Sequence, residues 1–194
     1  MIAFPKHWFL ATCLYLASFV GDLFDGLLAR KLNQTSEFGG LIDMLTDRLS
    51  TLGLLYVLSG DYQPQDLEFG FPVFRLTFLV LIALDIASHW SQMFSTAILG
   101  AHHKGNDANA GRNSIVRLYY RNYFFFGYLC VGTEILYIAA YAFQFTEGMS
   151  CHRLLQATLW VSLPGCLLKQ LVNVIQLFSA CYSVANKDAK SKIK

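Results

Sequence analysis

Five long apolar stretches restrict what this chain of 194 residues can fold into. They cover residues 8–26, 38–59, 72–99, 122–146 and 153–184. Each is long enough to cross the ~30 Å hydrocarbon core of a bilayer as a helix, which needs about 20 residues. Lipid cannot hydrogen-bond to an open backbone, so such segments cross as helices. The pattern predicts an all-α, polytopic membrane bundle of five spans, with residues 1–194 forming a single domain.

The composition agrees with a lipid environment. Apolar residues make up 55% of the chain and charged residues 14%, whereas a soluble domain has about a quarter of its residues charged. The net charge of +2 is too small for a nucleic-acid partner, which would require a basic patch. The five cysteines are scattered without a C-x-x-C pair, which predicts free thiols and neither a disulfide framework nor a zinc site.

The basic residues divide unequally between the connectors. If the five spans alternate in direction, ten of the 15 basic residues lie on one side: Arg30, Lys31, Lys104, Arg112, Arg117, Arg121, Lys187, Lys190, Lys192 and Lys194. The positive-inside rule makes that side cytosolic, so we expect the C-terminus in the cytosol. Lys190 and Lys192 resemble a dilysine retrieval signal, which predicts the endoplasmic reticulum membrane. A solvated lysine anchor is the alternative.

Four aspartates stand where the first stretch ends and the second begins. Asp22 and Asp25 are three residues apart, so they share one face of a helix. Asp43 and Asp47 are four apart and share a face of the next helix. A short loop joins the two helices as an antiparallel hairpin, so both pairs should meet at one depth on the cytosolic side.

Such a carboxylate cluster repels itself unless cations neutralise it. Oxygen ligands without His or Cys suit Mg²⁺ or Mn²⁺ better than Zn²⁺, and two ions would leave coordination positions for phosphate oxygens. The small residues Gly26, Ala29 and Gly39 allow close approach of a ligand, and Arg30 is placed to bind a phosphate. The alternative, solvated charges at helix ends, explains one aspartate better than four.

The same residues carry a family resemblance. The pattern D-x2-D-G-x2-A-R-x8-G-x3-D-x3-D, the signature of the CDP-alcohol phosphotransferases, is met by Asp22, Asp25, Gly26, Ala29, Arg30, Gly39, Asp43 and Asp47. Within that family, several further segments resemble the members that use inositol as acceptor: residues 29–34, 41–48, 84–90, 117–120 and 145–148.

The resemblance implies a divalent-metal-dependent membrane enzyme that transfers the phosphatidyl group of CDP-diacylglycerol to myo-inositol, releasing CMP. It implies that two Mg²⁺ or Mn²⁺ ions are held by four aspartates: Asp22, Asp25, Asp43 and Asp47. Asp47 would also be the proton acceptor. Gly26, Arg30 and Ser36 would contact CDP-diacylglycerol, with Ser36 standing where relatives can have Thr. The partners are then these two substrates and membrane lipid, and a homodimer is compatible with this interpretation.

The family has six transmembrane helices, and here one apolar stretch precedes the aspartates. Asp22 lies where the second helix of the family ends. We therefore expect that the family's first span is missing and that the sequence is incomplete at its N-terminus. A homologue that functions with five spans is the alternative.

Several polar residues outside the motif are candidates for an inositol pocket: Asp85, His89, Arg112, Arg117 and Lys169. Asp85 and His89 are four apart, so a satisfied intrahelical pair is an equal alternative. Arg117 serves equally as an interface anchor. Lys169 in the fifth stretch needs a partner, and an ion pair with Glu134 of the fourth is the other interpretation.

Two other functions fit parts of this pattern. Another CDP-alcohol phosphotransferase, with glycerol phosphate or an amino alcohol as acceptor, would share every motif residue. A cation transporter would also use membrane carboxylates, but it would normally place them near the bilayer midplane on broken helices. The aspartates here cluster at one interface beside an arginine, which favours the enzyme.

Overall fold

The computed structural model describes residues 7–61, 73–99 and 123–192, and the regular structure of these residues is helical. The helices are α1 (Trp8–Lys31), α2 (Glu37–Asp61), α3 (Val73–Leu99), α4 (Tyr123–Phe143) and α5 (His152–Lys192). Each coincides with one of the five apolar stretches, so the predicted all-α architecture is confirmed. Arg112 and Arg117 lie outside the described residues.

Four of these helices are long and apolar enough to cross a membrane: α1, α3 from Arg75, α4 from Phe124, and α5. The fifth, α2, has 25 residues and a length of about 37 Å, which also exceeds the hydrocarbon thickness. It carries Asp43, Asp47 and Arg48 in its first half, and these charges lower its hydropathy. The chain is a multi-pass membrane protein.

Helix α5 is much longer than one bilayer crossing requires. Its 41 residues correspond to about 62 Å, twice the hydrocarbon core. Its last eight residues, 185–192, are exposed, and the final turn carries Lys190 and Lys192. The helix is therefore longer than one crossing requires, and the end that carries these lysines is polar and exposed.

The connector between α1 and α2 is short, and the helix end on each side of it is capped. Asn33 adopts the left-handed conformation, with a φ of 55°. The Gln34 amide donates to the Ala29 carbonyl at 2.9 Å and the Asn33 amide to that of Arg30 at 3.3 Å. This is the Schellman arrangement, which closes a helix and turns the chain away. Only residues 32–36 separate the helices. The aspartates near the end of α1 and those near the start of α2 therefore lie on either side of the same short turn.

The chain divides into two compact units. The first unit contains Met1–Leu79 and Glu134–Trp160, and the second contains Val80–Thr133 and Val161–Lys194. Buried apolar side chains of the first unit include Leu54, Leu55 and Leu58 of α2 and Tyr137, Ile138 and Tyr141 of α4. The second unit has a small apolar cluster in which Leu129 and Val172 are buried, with Phe125, Phe126 and Cys130 packed against them.

Close packing in the second unit depends on a glycine in α5. A Cβ atom at Gly165 would lie 3.2 Å from ring atoms of Tyr128, closer than such contacts normally allow. The Tyr128 hydroxyl donates to the Val161 carbonyl at 3.4 Å. Gly165 thus lets the tyrosine ring of α4 lie directly against α5, as small residues commonly do between membrane helices.

Candidate functional site

Asp22 lies near the end of the less exposed face of α1. This face follows a spacing of three and four residues along Tyr15, Phe19, Asp22, Gly26 and Ala29, all half-buried. No residue of α1 is fully buried. The helical periodicity therefore turns the Asp22 side chain toward the rest of the first unit, whereas Asp25 is exposed.

The aspartates of α2 stand on a face that leads into the core of the first unit. Asp43, Asp47 and Thr51 follow one another at four-residue intervals, and they change from half-buried to buried in that order. Leu54, Leu55 and Leu58, which are almost fully buried, continue the same face. Packing of the apolar half of α2 thus orients the polar half that carries the carboxylates.

Three carboxylates from the two helices converge. Asp22, Asp25 and Asp43 each have a carboxylate oxygen within 4.8 Å of the others. Asp22 and Asp43 are half-buried and Asp25 is exposed. Three negative charges at this separation repel one another strongly, so the arrangement favours a bound cation.

Asp47 lies beside this cluster without belonging to it. Its carboxyl group is within hydrogen-bonding reach of Asp22, and its Oδ2 atom is 3.4 Å from Nη2 of Arg48. The Asp47 side chain is 38% exposed and that of Arg48 is 20% exposed. The four predicted aspartates are therefore neighbours, but they divide into three that converge and one that also faces an arginine.

The donor atoms fit a hard divalent cation. The three converging side chains contribute carboxylate oxygens, which suit Mg²⁺ and Mn²⁺, whereas zinc prefers nitrogen and sulfur ligands. Asp25 is exposed, so the cluster is open on one side to a ligand from outside the helices. The residues thus fit a divalent metal that keeps positions for substrate oxygens.

Arg30 and Gly26 form a contact of their own near the end of α1. A Cβ atom at Gly26 would lie 3.5 Å and 3.7 Å from the two terminal guanidinium nitrogens of Arg30. The Arg30 side chain thus folds back over Gly26, one turn earlier on the helix. Since glycine presents no side chain there, the guanidinium lies against the backbone next to Asp25.

Ser36 caps the start of α2. Its hydroxyl accepts a hydrogen bond of 2.9 Å from the Gly39 amide, which otherwise would have no partner within the helix. A Cβ atom at Gly39 would lie only 3.1 Å from that hydroxyl oxygen. Ser36 thus caps a helix, and this structural role is separate from its predicted contact with substrate.

A buried polar network connects the two aspartate-bearing helices to α4. Glu134 accepts hydrogen bonds from Tyr15 of α1 at 2.8 Å and from Thr51 of α2 at 2.7 Å. The Thr51 hydroxyl oxygen also lies 3.1 Å from the carbonyl oxygen of Asp47. The sequence predicts Glu134 only as a partner of Lys169 and does not predict its hydrogen bonds to Tyr15 and Thr51. The spacing along the sequence indicates such a link, because Tyr15 is seven residues before Asp22 and Thr51 is four residues after Asp47. Each therefore lies on the same helix face as one of the aspartates.

Three further predicted residues lie in the second unit. His89 Nδ1 is 2.8 Å from the Asp85 carbonyl oxygen and 3.5 Å from its carboxylate. This supports the intrahelical pair, and because a carbonyl only accepts, Nδ1 carries the proton. Lys169 is buried and donates to Asn173 at 2.8 Å. Its predicted pairing with Glu134 stays a prediction.

The chain matches a protein-family model described as CDP-alcohol phosphatidyltransferase over residues 1–168. It is also similar to several individual proteins. It is 43% identical over 182 residues to a probable CDP-diacylglycerol–inositol 3-phosphatidyltransferase 2 of Arabidopsis thaliana, covering 88% of this chain and 76% of the relative.

Two more relatives have the same kind of name. The Homo sapiens CDP-diacylglycerol–inositol 3-phosphatidyltransferase is 38% identical over 187 residues, which is 95% of this chain and 83% of the relative. The Saccharomyces cerevisiae protein of that name is 33% identical over 181 residues, covering 93% and 76% respectively. No solved structure matches the chain.

Proposed function

The chain belongs to the CDP-alcohol phosphatidyltransferase family, and from this premise we propose that it transfers the phosphatidyl group of CDP-diacylglycerol to myo-inositol. The products are phosphatidylinositol and CMP. The observation that carries the proposal is the convergence of Asp22, Asp25 and Asp43 within 4.8 Å at the family's metal-binding positions. The names of the relatives, which specify inositol as acceptor, support the choice of alcohol.

Four aspartates would hold two Mg²⁺ or Mn²⁺ ions in this proposal: Asp22, Asp25, Asp43 and Asp47. When bound, the ions would neutralise the diphosphate of CDP-diacylglycerol and stabilise the negative charge that develops on the departing CMP. The half-buried positions of Asp22 and Asp43 support a ligand role, because partial exclusion of water strengthens the attraction between carboxylate and cation.

Asp47 acts as the general base. An inositol hydroxyl attacks the phosphorus that bears diacylglycerol, the new oxygen–phosphorus bond forms, and the bond to the CMP oxygen breaks. The hydroxyl proton passes to the Asp47 carboxylate. Asp47 is adjacent to Asp22 but outside the group of three converging carboxylates. This position supports its assignment as the base, because one of its carboxylate oxygens can then take the proton.

Gly26, Arg30 and Ser36 hold the CDP moiety. The Arg30 guanidinium presents several donors in a planar fork, which suits phosphate oxygens, and it lies over Gly26, so the two motif residues present one surface to the substrate. Ser36 starts α2 beside the exposed amide end of that helix, where a phosphate is favoured. Asp85, His89, Arg112, Arg117 and Lys169 remain candidates for contact with inositol.

We further propose that the active site and the C-terminus face the cytosol in the endoplasmic reticulum membrane, and that the protein can form a homodimer. The basic last turn of α5, with Lys190 and Lys192, supports this orientation. Replacing both lysines by serine should move the protein to the cell surface if they form a retrieval signal. Unchanged localisation would identify them as a solvated anchor.

The test is incorporation of radiolabelled inositol by the purified full chain in lipid vesicles that contain CDP-diacylglycerol. We expect labelled phosphatidylinositol and equimolar CMP in the presence of Mg²⁺ or Mn²⁺ and neither product with EDTA. Parallel reactions contain glycerol 3-phosphate or serine in place of inositol. CMP release with one of these alcohols and not with inositol would assign a different acceptor, and no CMP release with any alcohol would refute phosphatidyl transfer.

A further inference from the structure

Glu134 is the only charged residue among the 21 residues of α4. An ionisable side chain inside an apolar membrane helix is costly, and it normally has a function and a defined partner. The Glu134 carboxylate accepts hydrogen bonds from Tyr15 and Thr51, and the proposed reaction uses none of these three residues. All three belong to the first unit, as do the four aspartates. The position of the three residues, here called the Glu134 network, relative to the aspartates indicates what they do.

The hairpin of α1 and α2 is joined at two levels, and the aspartates lie between them. At one level, residues 32–36 form the capped turn. At the other level, the network links the two helices. Asp22 is about 10 Å along α1 from Tyr15. Asp47 is about 6 Å along α2 from Thr51. The turn and the network together therefore limit how far the aspartates of the two helices can move apart.

Apolar packing alone would hold α1 weakly. No residue of this helix is fully buried, and in lipid no hydrophobic force presses one apolar helix against another. The described contacts of α1 include the Tyr15 hydrogen bond to Glu134 and the stacked rings of Trp8 and Phe145, whose centroids are 6.1 Å apart. A hydrogen bond is directional, whereas ring stacking tolerates sliding. The Tyr15 bond therefore fixes the position of α1 more closely than the ring contact does.

Divalent cations differ in how much displacement of their ligands they tolerate. Mg²⁺ requires near-octahedral geometry with bonds of about 2.0–2.1 Å, whereas Ca²⁺ accepts about six to eight oxygens at about 2.3–2.6 Å in variable arrangements. Asp22 and Asp25 come from α1, and Asp43 comes from α2. The separation of the two helices therefore sets the separation of the carboxylates. A fixed separation favours the small cation, and a loosened one reduces that preference.

We propose that the Glu134 network holds α1 and α2 at the separation at which their carboxylates bind Mg²⁺ in preference to Ca²⁺. The proposal rests on the proposed function, because it assumes that the aspartates bind a divalent cation. Glu134, Tyr15 and Thr51 are positioning residues, since they act through the helices that carry the ligands. Arg48 pairs with Asp47 and also acts electrostatically on Tyr15. Variants that keep the charge of Glu134 therefore separate positioning from a change of charge near the site.

The experiment measures the affinity of the purified full chain for Mg²⁺ and for Ca²⁺, without substrate, from their displacement of Mn²⁺ followed by electron paramagnetic resonance. The variants are Tyr15→Phe and Thr51→Val, each of which removes one hydroxyl group and keeps the charge of Glu134. We expect the Mg²⁺ affinity to fall about tenfold, the lower end of what loss of a supporting partner costs at a metal site. The Ca²⁺ affinity should change by less than about twofold, because longer bonds in variable arrangements absorb the displacement. Thr51→Ser keeps the hydroxyl and should retain the wild-type ratio of the two affinities.

Leu58→Ala is the matched control. It removes a fully buried side chain from α2, two turns beyond Thr51, so it destabilises the first unit and leaves the network intact. It should lower the unfolding temperature at least as much as Tyr15→Phe does, without changing the ratio of Mg²⁺ to Ca²⁺ affinity. An unchanged ratio in both Tyr15→Phe and Thr51→Val, or an equal shift in the control, would overturn the proposal and leave the network a structural contact alone.

The metal measurement does not depend on turnover, so the two proposals can fail separately. Wild-type protein that prefers Mg²⁺, loses this preference in Tyr15→Phe and yet releases no CMP would support the positioning role of Glu134 and refute phosphatidyl transfer. Wild-type protein that incorporates inositol but has the same ratio of affinities as Tyr15→Phe and Thr51→Val would support the transfer reaction and refute the positioning role.

Discussion

The carboxylate of Glu134 in α4 accepts a hydrogen bond of 2.8 Å from the hydroxyl of Tyr15 in α1. The same carboxylate accepts a second one, of 2.7 Å, from Thr51 in α2. Tyr15 is two turns before Asp22, and Thr51 is one turn after Asp47. One side chain of α4 therefore holds together the two helices on which the candidate metal ligands stand, in a place where low polarity strengthens such bonds.

Glu134→Gln should destabilise the protein by about 1–3 kcal/mol. The amide keeps one acceptor oxygen, but its NH₂ group cannot accept from a hydroxyl, so either Tyr15 or Thr51 can no longer donate to this side chain. Thermal unfolding in detergent measures the loss. The matched variant is Tyr15→Phe. The double variant should lose less stability than the sum of the two single losses, by at least about 0.5 kcal/mol, because the two residues are in contact. Additive effects would show that the bond contributes little.

Asp43→Asn should weaken metal binding more than it changes the fold. A neutral amide replaces one of three converging carboxylates, so Mn²⁺ affinity should fall by at least the ~10- to 100-fold that loss of a supporting hydrogen bond costs at metal sites. Electron paramagnetic resonance of Mn²⁺ titrated into the purified chain measures this directly. Asp188→Asn removes the same charge from an exposed position of α5 and should leave the affinity unchanged. Equal affinity in both variants would argue against a metal site.

Asp47→Asn should lower kcat by about 10²- to 10⁴-fold, the usual contribution of a general base. Since Asp47 lies outside the group of three carboxylates, its effect on Mn²⁺ affinity should be smaller than that of Asp43→Asn. The comparison of turnover with Mn²⁺ binding in the two variants separates the roles. Normal turnover by Asp47→Asn would refute its assignment as the base.

Gly26→Ala should raise the KM for CDP-diacylglycerol several-fold without unfolding the protein. The added methyl would lie 3.5 Å from the nearest Arg30 nitrogen, an ordinary contact, so the helix tolerates it, but it occupies space that the substrate approaches. Gly21→Ala is the control on the same helix, because an added Cβ atom there meets nothing within 4 Å. Identical KM values for the two variants would exclude a close approach at Gly26.

Ser36→Ala should cost about 0.5–2 kcal/mol of stability, because the Gly39 amide loses its cap. Ser36→Asn keeps a capping oxygen and should retain most of that stability. If Ser36 also contacts CDP-diacylglycerol, both variants should raise the KM for that substrate, since neither keeps a hydroxyl. Thermal unfolding and substrate kinetics on the same preparations distinguish the two roles, and an unchanged KM in both would leave Ser36 as a helix cap alone.

The sequence predicted the helices well because their determinants are local. The predicted first stretch begins at residue 8 and α1 begins at Trp8, and the third ends at residue 99, as does α3. The main difference is the C-terminal extension of α5 to Lys192, eight residues beyond the predicted stretch. Those residues are polar and exposed, so hydropathy does not detect them, whereas backbone hydrogen bonding continues the helix regardless of polarity.

By itself, therefore, the sequence determined that the chain crosses a membrane several times and that four aspartates share two helix faces. Apolar length and residue spacing are sufficient for both conclusions. Tertiary structure decided which of these aspartates converge and that Glu134 joins Tyr15 to Thr51. These facts depend on how helices pack against one another, and periodicity along one helix cannot specify which side chain of another helix will face it.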